Sequence, residues 1–347
     1  MRSIRQINNL LLNEIAEILI SKTPGVTNVG LFYGKAGIAL FFYKYSLYAN
    51  DNRFKKFAEL LIDDVCGQMS SISSLSFSEG LSGIGWCFAH LFQNNFLDND
   101  TDEILLEIDE IIIKKQSQHC VMYENSGDVF GSGIYCLSRL YTPEINRNTT
   151  YLLSKTQNVL FLIDECENIL YNHLSKNLYV PAIRLQTLIS IVYFLLEAYK
   201  LGLNIEKVKK VLSCLPDYFK SSLKLYIDNI DRDLLLTQIN EITLILNDED
   251  CKIKCESVLE IISQVPDFKI AIGNLTNDCC KISLYNLIYR RQLTNSKQVG
   301  YLSDIYRIVN NNILIEDILS NVHDYNLGLN GGIAGLGLSL LDAINKQ

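Results

Sequence analysis

Apolar residues along this chain gather into blocks of helical length, and three of the blocks are entered through the same glycine-rich turn. The phrases are GLFYGKAGIAL (residues 30–40), SFSEGLSGIGW (residues 76–86) and GLNGGIAGLGL (residues 328–338). Aligned on their paired glycines, Gly34/Gly37, Gly80/Gly83 and Gly332/Gly335 are equivalent, and a small residue (Ala36, Ser82, Ala334) precedes each second glycine. Self-similarity of this kind predicts a repeat architecture. Ahead of the first copy, residues 1–22 carry Leu and Ile at helical spacing, interrupted by Asn13, Glu14 and Glu17, which predicts an amphipathic first helix.

Other copies are worn. SGDVFGSGIYC (residues 126–136) keeps Ser132, Gly133 and Ile134 but has Phe130 at the first glycine position. NLTNDCCKISL (residues 274–284) has Asp278 and Lys281 in place of both glycines, and residues 177–187 place Pro181 at the first. The first-glycine positions then step by 46, 50, 51, 97 and 54 residues, and the long step predicts a hidden copy near Ile230. Seven units of about 50 residues follow, each long enough for two helices and their turns. The stretch 200–260, rich in charge and poor in the repeat phrase, is assigned to outer helices and surface loops.

Composition fits a folded helical protein. With 48% hydrophobic residues and a mean hydropathy of +0.12, some helices must be buried on all sides. Only 5 prolines and no linker-like tract predict a single domain over residues 1–347. The N-terminus does not read as a signal peptide, and the most apolar later run, residues 185–196, is too short to span a bilayer. The 10 cysteines lack a recurrent disulfide spacing, so reduced thiols and a cytoplasmic location are expected. A net charge of −8 with no basic stripe argues against nucleic acid.

Glycine at a helix start allows close backbone approach and leaves amide N–H groups uncovered. A ring of such starts predicts an electropositive mouth suited to carboxylate or phosphate, with Gly34, Gly37, Gly80, Gly83, Gly332 and Gly335 as its binding rim. The competing explanation is packing alone.

The phrase G-x-(small)-G-(I/L) followed by an apolar helix resembles the lanthionine synthetase C-like family, from about residue 30 to residue 340. The resemblance implies an all-α fold, an α/α toroid of about seven inner and seven outer helices. It also implies, for the members that are cyclases, a zinc ion that activates a cysteine thiolate of a precursor peptide to add to a dehydrated serine or threonine. In those members a cysteine precedes the glycines of the fifth copy, and a Cys-His pair precedes the sixth. By register these positions fall on Asp228 and on Thr276 and Asn277, poor zinc ligands, and no Cys-His-Gly occurs in the chain.

Cys279, Cys280 and His323, which lie near the lost pair or the last turn, are the candidate substitute ligands. Adjacent cysteines on a helix point about 100° apart, which disfavours a shared metal. Cys87 with His90, His119 with Cys120, and Cys251 with Cys255 form further pairs for which packing is the simpler reading. For acid–base chemistry the candidates are Glu124 and Asp128, in the turn YENSGD, with Glu79 and Asp278 at other turns. The sequence thus predicts a divergent, non-catalytic member, a pseudoenzyme of a peptide-modification system that binds a precursor peptide or modifying enzyme and needs no cofactor. A zinc-dependent cyclase with relocated ligands is the first alternative, and a carbohydrate-active toroid enzyme the second.

Overall fold

A computed structural model describes residues 4–97, 101–118, 126–141, 149–175, 185–223, 232–264 and 327–345. Among them are twelve α-helices and no β-strand. They are α1 (Ile4–Lys22), α2 (Lys35–Ala49), α3 (Asn52–Gln68), α4 (Leu81–Gln93), α5 (Thr101–Gln118), α6 (Ser126–Leu140), α7 (Thr149–Ser175), α8 (Leu185–Lys200), α9 (Ile205–Leu223), α10 (Arg232–Leu246), α11 (Glu249–Gln264) and α12 (Ile333–Asn345). The chain forms two compact units, Met1–Asp102 with Ile270–Gln347, and Glu103–Lys269.

In the first unit the three strong copies become α2, α4 and α12, which stand side by side with α2 in the middle. Every residue of α2 from Lys35 to Tyr43 is buried, as is every residue of α4 from Leu81 to Ala89. Helices walled in on all sides need no polar face, which is why their sequence shows apolar runs and no stripe. By contrast α3 packs on α2 with one face, burying Phe54, Ala58, Leu61, Ile62 and Val65. The amphipathic α1 lies against α12, burying Leu11, Leu12, Ile15, Ala16 and Leu19.

The second unit repeats this two-layer plan. One layer holds α6, α8 and α10 and the other α7, α9 and α11. The copy expected near Ile230 is present as α10, so the stretch 200–260 supplies one helix to the layer of α6 and α8 as well as α9 and α11 to the other. Its polarity had concealed this: Leu235, Gln238, Ile239 and Ile242 are buried, but Leu244 is 79% exposed. Asp109 of α5 binds α6 and α7 together, accepting from Tyr135 Oη at 2.7 Å and from Arg139 Nε at 3.3 Å, with Lys155 Nζ at 3.8 Å. All four residues are buried.

Three described turns between layers follow one recipe. The first-layer helix ends on a residue in the left-handed region, Asn50 (φ 50°), Gly202 (φ 74°) or Asn247 (φ 46°), where Asn and Gly bear the least steric cost. An acidic or amide residue then starts the partner helix. Asp51 accepts from Arg53 N at 2.9 Å, and Asp248 from Cys251 N at 3.0 Å.

Candidate functional site

The first-unit glycine turns form the described part of the expected rim. Gly34, Gly80 and Gly332 are the N-caps: each carbonyl accepts the first intrahelical bond, from Ile38, Ile84 and Leu336 at 3.2, 3.2 and 3.0 Å. Gly34 and Gly80 are extended, with φ of −128° and −106° and no side-chain cap. Gly37, Gly83 and Gly335 lie in the first helical turn.

The capping comes from the backbone seven residues back. Lys35 N bonds Asn28 O at 3.0 Å and Ala36 N bonds Val29 O at 3.3 Å. Leu81 N bonds Ser74 O at 3.1 Å, and Ala334 N and Gly335 N bond Leu327 O and Gly328 O, both at 3.1 Å. These amides are therefore already satisfied, and the uncovered N–H groups expected from the sequence are in large part engaged by the turn itself. Close wrapping is also what excludes a side chain. A Cβ on Gly37 would sit inside the carbonyl oxygen of Leu31, and one on Gly83 inside that of Phe77. Gly34 and Gly80 would meet Asn28 O and Ser74 O, both at 2.5 Å.

Neighbouring copies are stitched in one register. Phe32 N donates to Ser78 O at 2.8 Å, and the equivalent atom of the last copy, Asn330 N, donates to Phe32 O at 3.0 Å. Gly30 lies against Ser78 and Glu79, while Gly328 lies against the equivalent Phe32 and Tyr33. The last copy thus meets the first as the first meets the second.

Side chains give the described rim its chemistry. Tyr33, 41% exposed, accepts from Asn330 Nδ2 at 2.6 Å across the seam. Glu79 is exposed at the equivalent position of the second copy, and the Phe32 ring sits edge-on to Phe77 at 6.1 Å. Lys35, the first residue of α2, pairs with Asp64 of α3. That ammonium, and after it the Gln68 amide, hold the Asp64 carboxyl below the usual range. Sequence reading had flagged Glu79 but missed Asn28, Phe32, Tyr33 and Asn330. Their only signal is position within the repeat.

Of the sulfur and imidazole candidates, Cys87 is fully buried and its thiol donates to Ala36 O at 3.4 Å. Burial pushes it up to about 12, the reverse of what a metal-bound or nucleophilic thiolate needs. His90 stacks on Trp86 at 5.1 Å. Among the described residues no group of three His, Cys, Asp or Glu is placed to hold a metal ion. Asp128 falls in the first turn of α6, with its side chain outside the described residues. Glu124, Cys279, Cys280 and His323 lie outside them altogether, as do His119, Cys120, Asp228, Thr276, Asn277 and Asp278. No described helix is long and apolar enough to cross a membrane.

Residues 25–177 match the family model described as lanthionine synthetase C-like protein. That span takes in the first three copies and ends well before the last. No curated protein matches the chain.

Proposed function

Residues 25–177 place this chain in the lanthionine synthetase C-like family, and from that premise we propose a divergent, non-catalytic role in a peptide-modification system of the lanthipeptide kind. In this reading the protein acts in the cytoplasm as one domain over residues 1–347 and binds a precursor peptide or partner modifying enzyme at the mouth of a toroid.

One contrast carries the reading. The scaffold is held in register through three copies, down to equivalent hydrogen bonds at both seams, while the family's zinc positions read Asp228, Thr276 and Asn277. A hydroxyl, an amide and a single carboxylate do not fit an ion that must bind and activate a thiolate, a task for Cys and His donors. No reaction step is therefore derived through zinc. What the chain itself offers at the rim is an exposed phenol, an exposed carboxylate and a carboxamide, in Tyr33, Glu79 and Asn330. Such groups recognise peptide N–H, C=O and basic side chains.

The test is metal analysis of the purified full-length protein, paired with incubation with a synthetic peptide that holds a dehydrated serine and a free cysteine. The expected outcome is substoichiometric zinc and no thioether. Stoichiometric zinc together with thioether formation would overturn the reading in favour of a cyclase, and Cys279, Cys280 and His323 are then the residues to replace first.

A further inference from the structure

Two glycines of the turns hold a neighbouring copy's rim residue in place. Gly328 packs on the backbone of Tyr33, and Gly30 packs equivalently on that of Glu79, so closely that a Cβ on either would overlap main chain. The bond from Phe32 N to Ser78 O at 2.8 Å fixes the turn before Glu79, and Leu329 N fixes the turn before Tyr33 by its bond to Phe32 O at 2.7 Å. Tyr33 and Glu79 therefore leave rigid backbone at equivalent places of adjacent copies. Side chains placed in advance lose little freedom when a ligand arrives.

These side chains still have bonds to give. Tyr33 Oη accepts from Asn330 Nδ2 at 2.6 Å, which leaves the phenol proton to donate and Asn330 Oδ1 to accept, neither with a partner among the described residues. Turned over, the carboxamide would exchange the two roles and still leave one donor beside one acceptor. Such a pair matches the N–H and C=O of one residue in an extended peptide, which point the same way. Glu79 has its N–H on Ser76 Oγ at 3.1 Å, and its exposed carboxylate meets no cation among the described residues. Asp64, the other carboxylate tied to these turns, is already paired with Lys35. Equivalent points on packed helices such as α2 and α4 lie about 8–10 Å apart. Two residues of extended chain cover about 6.8 Å and return the side chain to the same face, and the stem of a Lys or Arg spans the rest.

Given the peptide-binding role proposed above, we infer that the rim selects an extended, basic segment. Tyr33 and Asn330 hold the main chain of one residue, whatever its side chain, and Glu79 takes a Lys or Arg two positions along. The net charge of −8 draws the same segment in at long range.

The test is fluorescence anisotropy of the full-length protein with three labelled synthetic peptides of equal length, in which serine alternates with lysine, glutamine or glutamate. The lysine peptide is expected to bind best and the glutamate peptide least, and added salt should narrow the difference. Glu79→Gln should weaken the lysine peptide by about 2–5-fold, the worth of an exposed ion pair, and leave the glutamine peptide unchanged. Tyr33→Phe should weaken all three alike, by about 5-fold. Glu249→Gln, which alters an exposed carboxylate of α11, should change nothing. Three equal affinities in wild type, or a lysine preference that survives Glu79→Gln in full, overturns the charge selection and leaves the peptide-binding role standing. Tyr33→Phe binding all three peptides as wild type does overturns the main-chain contact. If none of the peptides binds wild type, the peptide-binding role itself falls, and the selectivity with it.

Discussion

Gly83 and Ser82 are adjacent on α4, yet alanine should act on them with opposite sign. A Cβ on Gly83 would overlap the Phe77 carbonyl oxygen and reach 2.9 Å from its carbon and 3.1 Å from Leu31 Cβ. The obstacle is backbone, and it is fixed from several sides. The Phe77 ring is wedged edge-on between Phe32 and Trp86, at 6.1 and 5.9 Å, and the next carbonyl, Ser78 O, holds Phe32 N at 2.8 Å. Overpacking against such a wall costs about 3 kcal/mol at the upper end of its usual range, and the helix propensity gained by Gly→Ala returns about 1. The net loss is about 2 kcal/mol. If all 347 residues unfold together at about 2.1 cal/mol/K per residue, this lowers Tm by about 3 °C. At Ser82 the Cβ is already present and the hydroxyl is buried without a hydrogen-bond partner. Ser82→Ala should therefore gain about 1 kcal/mol by removing an unsatisfied group, as the equivalent Ala36 and Ala334 imply. Trp86, the sole tryptophan, lies one turn away and reports unfolding by fluorescence in urea. A stabilised Gly83→Ala, or a destabilised Ser82→Ala, would refute this account of the turn.

Burial sets an alkaline limit. Tyr45 and Tyr218 are raised from 10.0 to about 12, and Cys87 and Cys136 from 9.0 to about 12, in each case first by desolvation. A raised folded-state value favours the protonated form, so this stability is full below about pH 9 and is lost as pH climbs toward 12. The urea midpoint should fall steadily above pH 9; a flat profile contradicts it. In native alkylation the half-buried Cys66 and Cys214 should react well before the buried Cys87, Cys136, Cys166 and Cys255, as peptide mass mapping will show. Charge pairs should separate by depth. Asp109→Ala leaves Arg139 and Lys155 buried without that carboxylate and should cost about 3–5 kcal/mol. Asp164→Ala, removing a 2.6 Å contact between an exposed carboxylate and the half-buried Lys207, should cost less than about 1 kcal/mol and vanish in high salt. Chemical denaturation of both variants checks the contrast.

Much of the fold was legible because its signals are local. Paired glycines before an apolar run announced α2, α4 and α12, and spacing alone located α10 near residue 230, where the turn phrase is lost. The assignment of stretch 200–260 to outer helices went astray because α10 buries only one side, so its composition resembles that of an outer helix. Asp128, read as part of a turn before the helix, lies inside α6, whose start precedes the position its Phe130 marks by four residues.

By itself the sequence determined the helical class, the repeat period and the equivalence of the glycines, since all of these are patterns along one dimension. Only the tertiary structure decided which carbonyl each amide meets. It showed that carbonyls seven residues back already cap the glycine turns, and that the last copy adjoins the first with the bonding of the first to the second. It also showed that Cys87 spends its thiol on Ala36, while Cys251 and Cys255 face each other. Those facts depend on the backbone's path through space, and residues such as Phe32 and Asn330, nearly the whole chain apart, meet only once that path is complete.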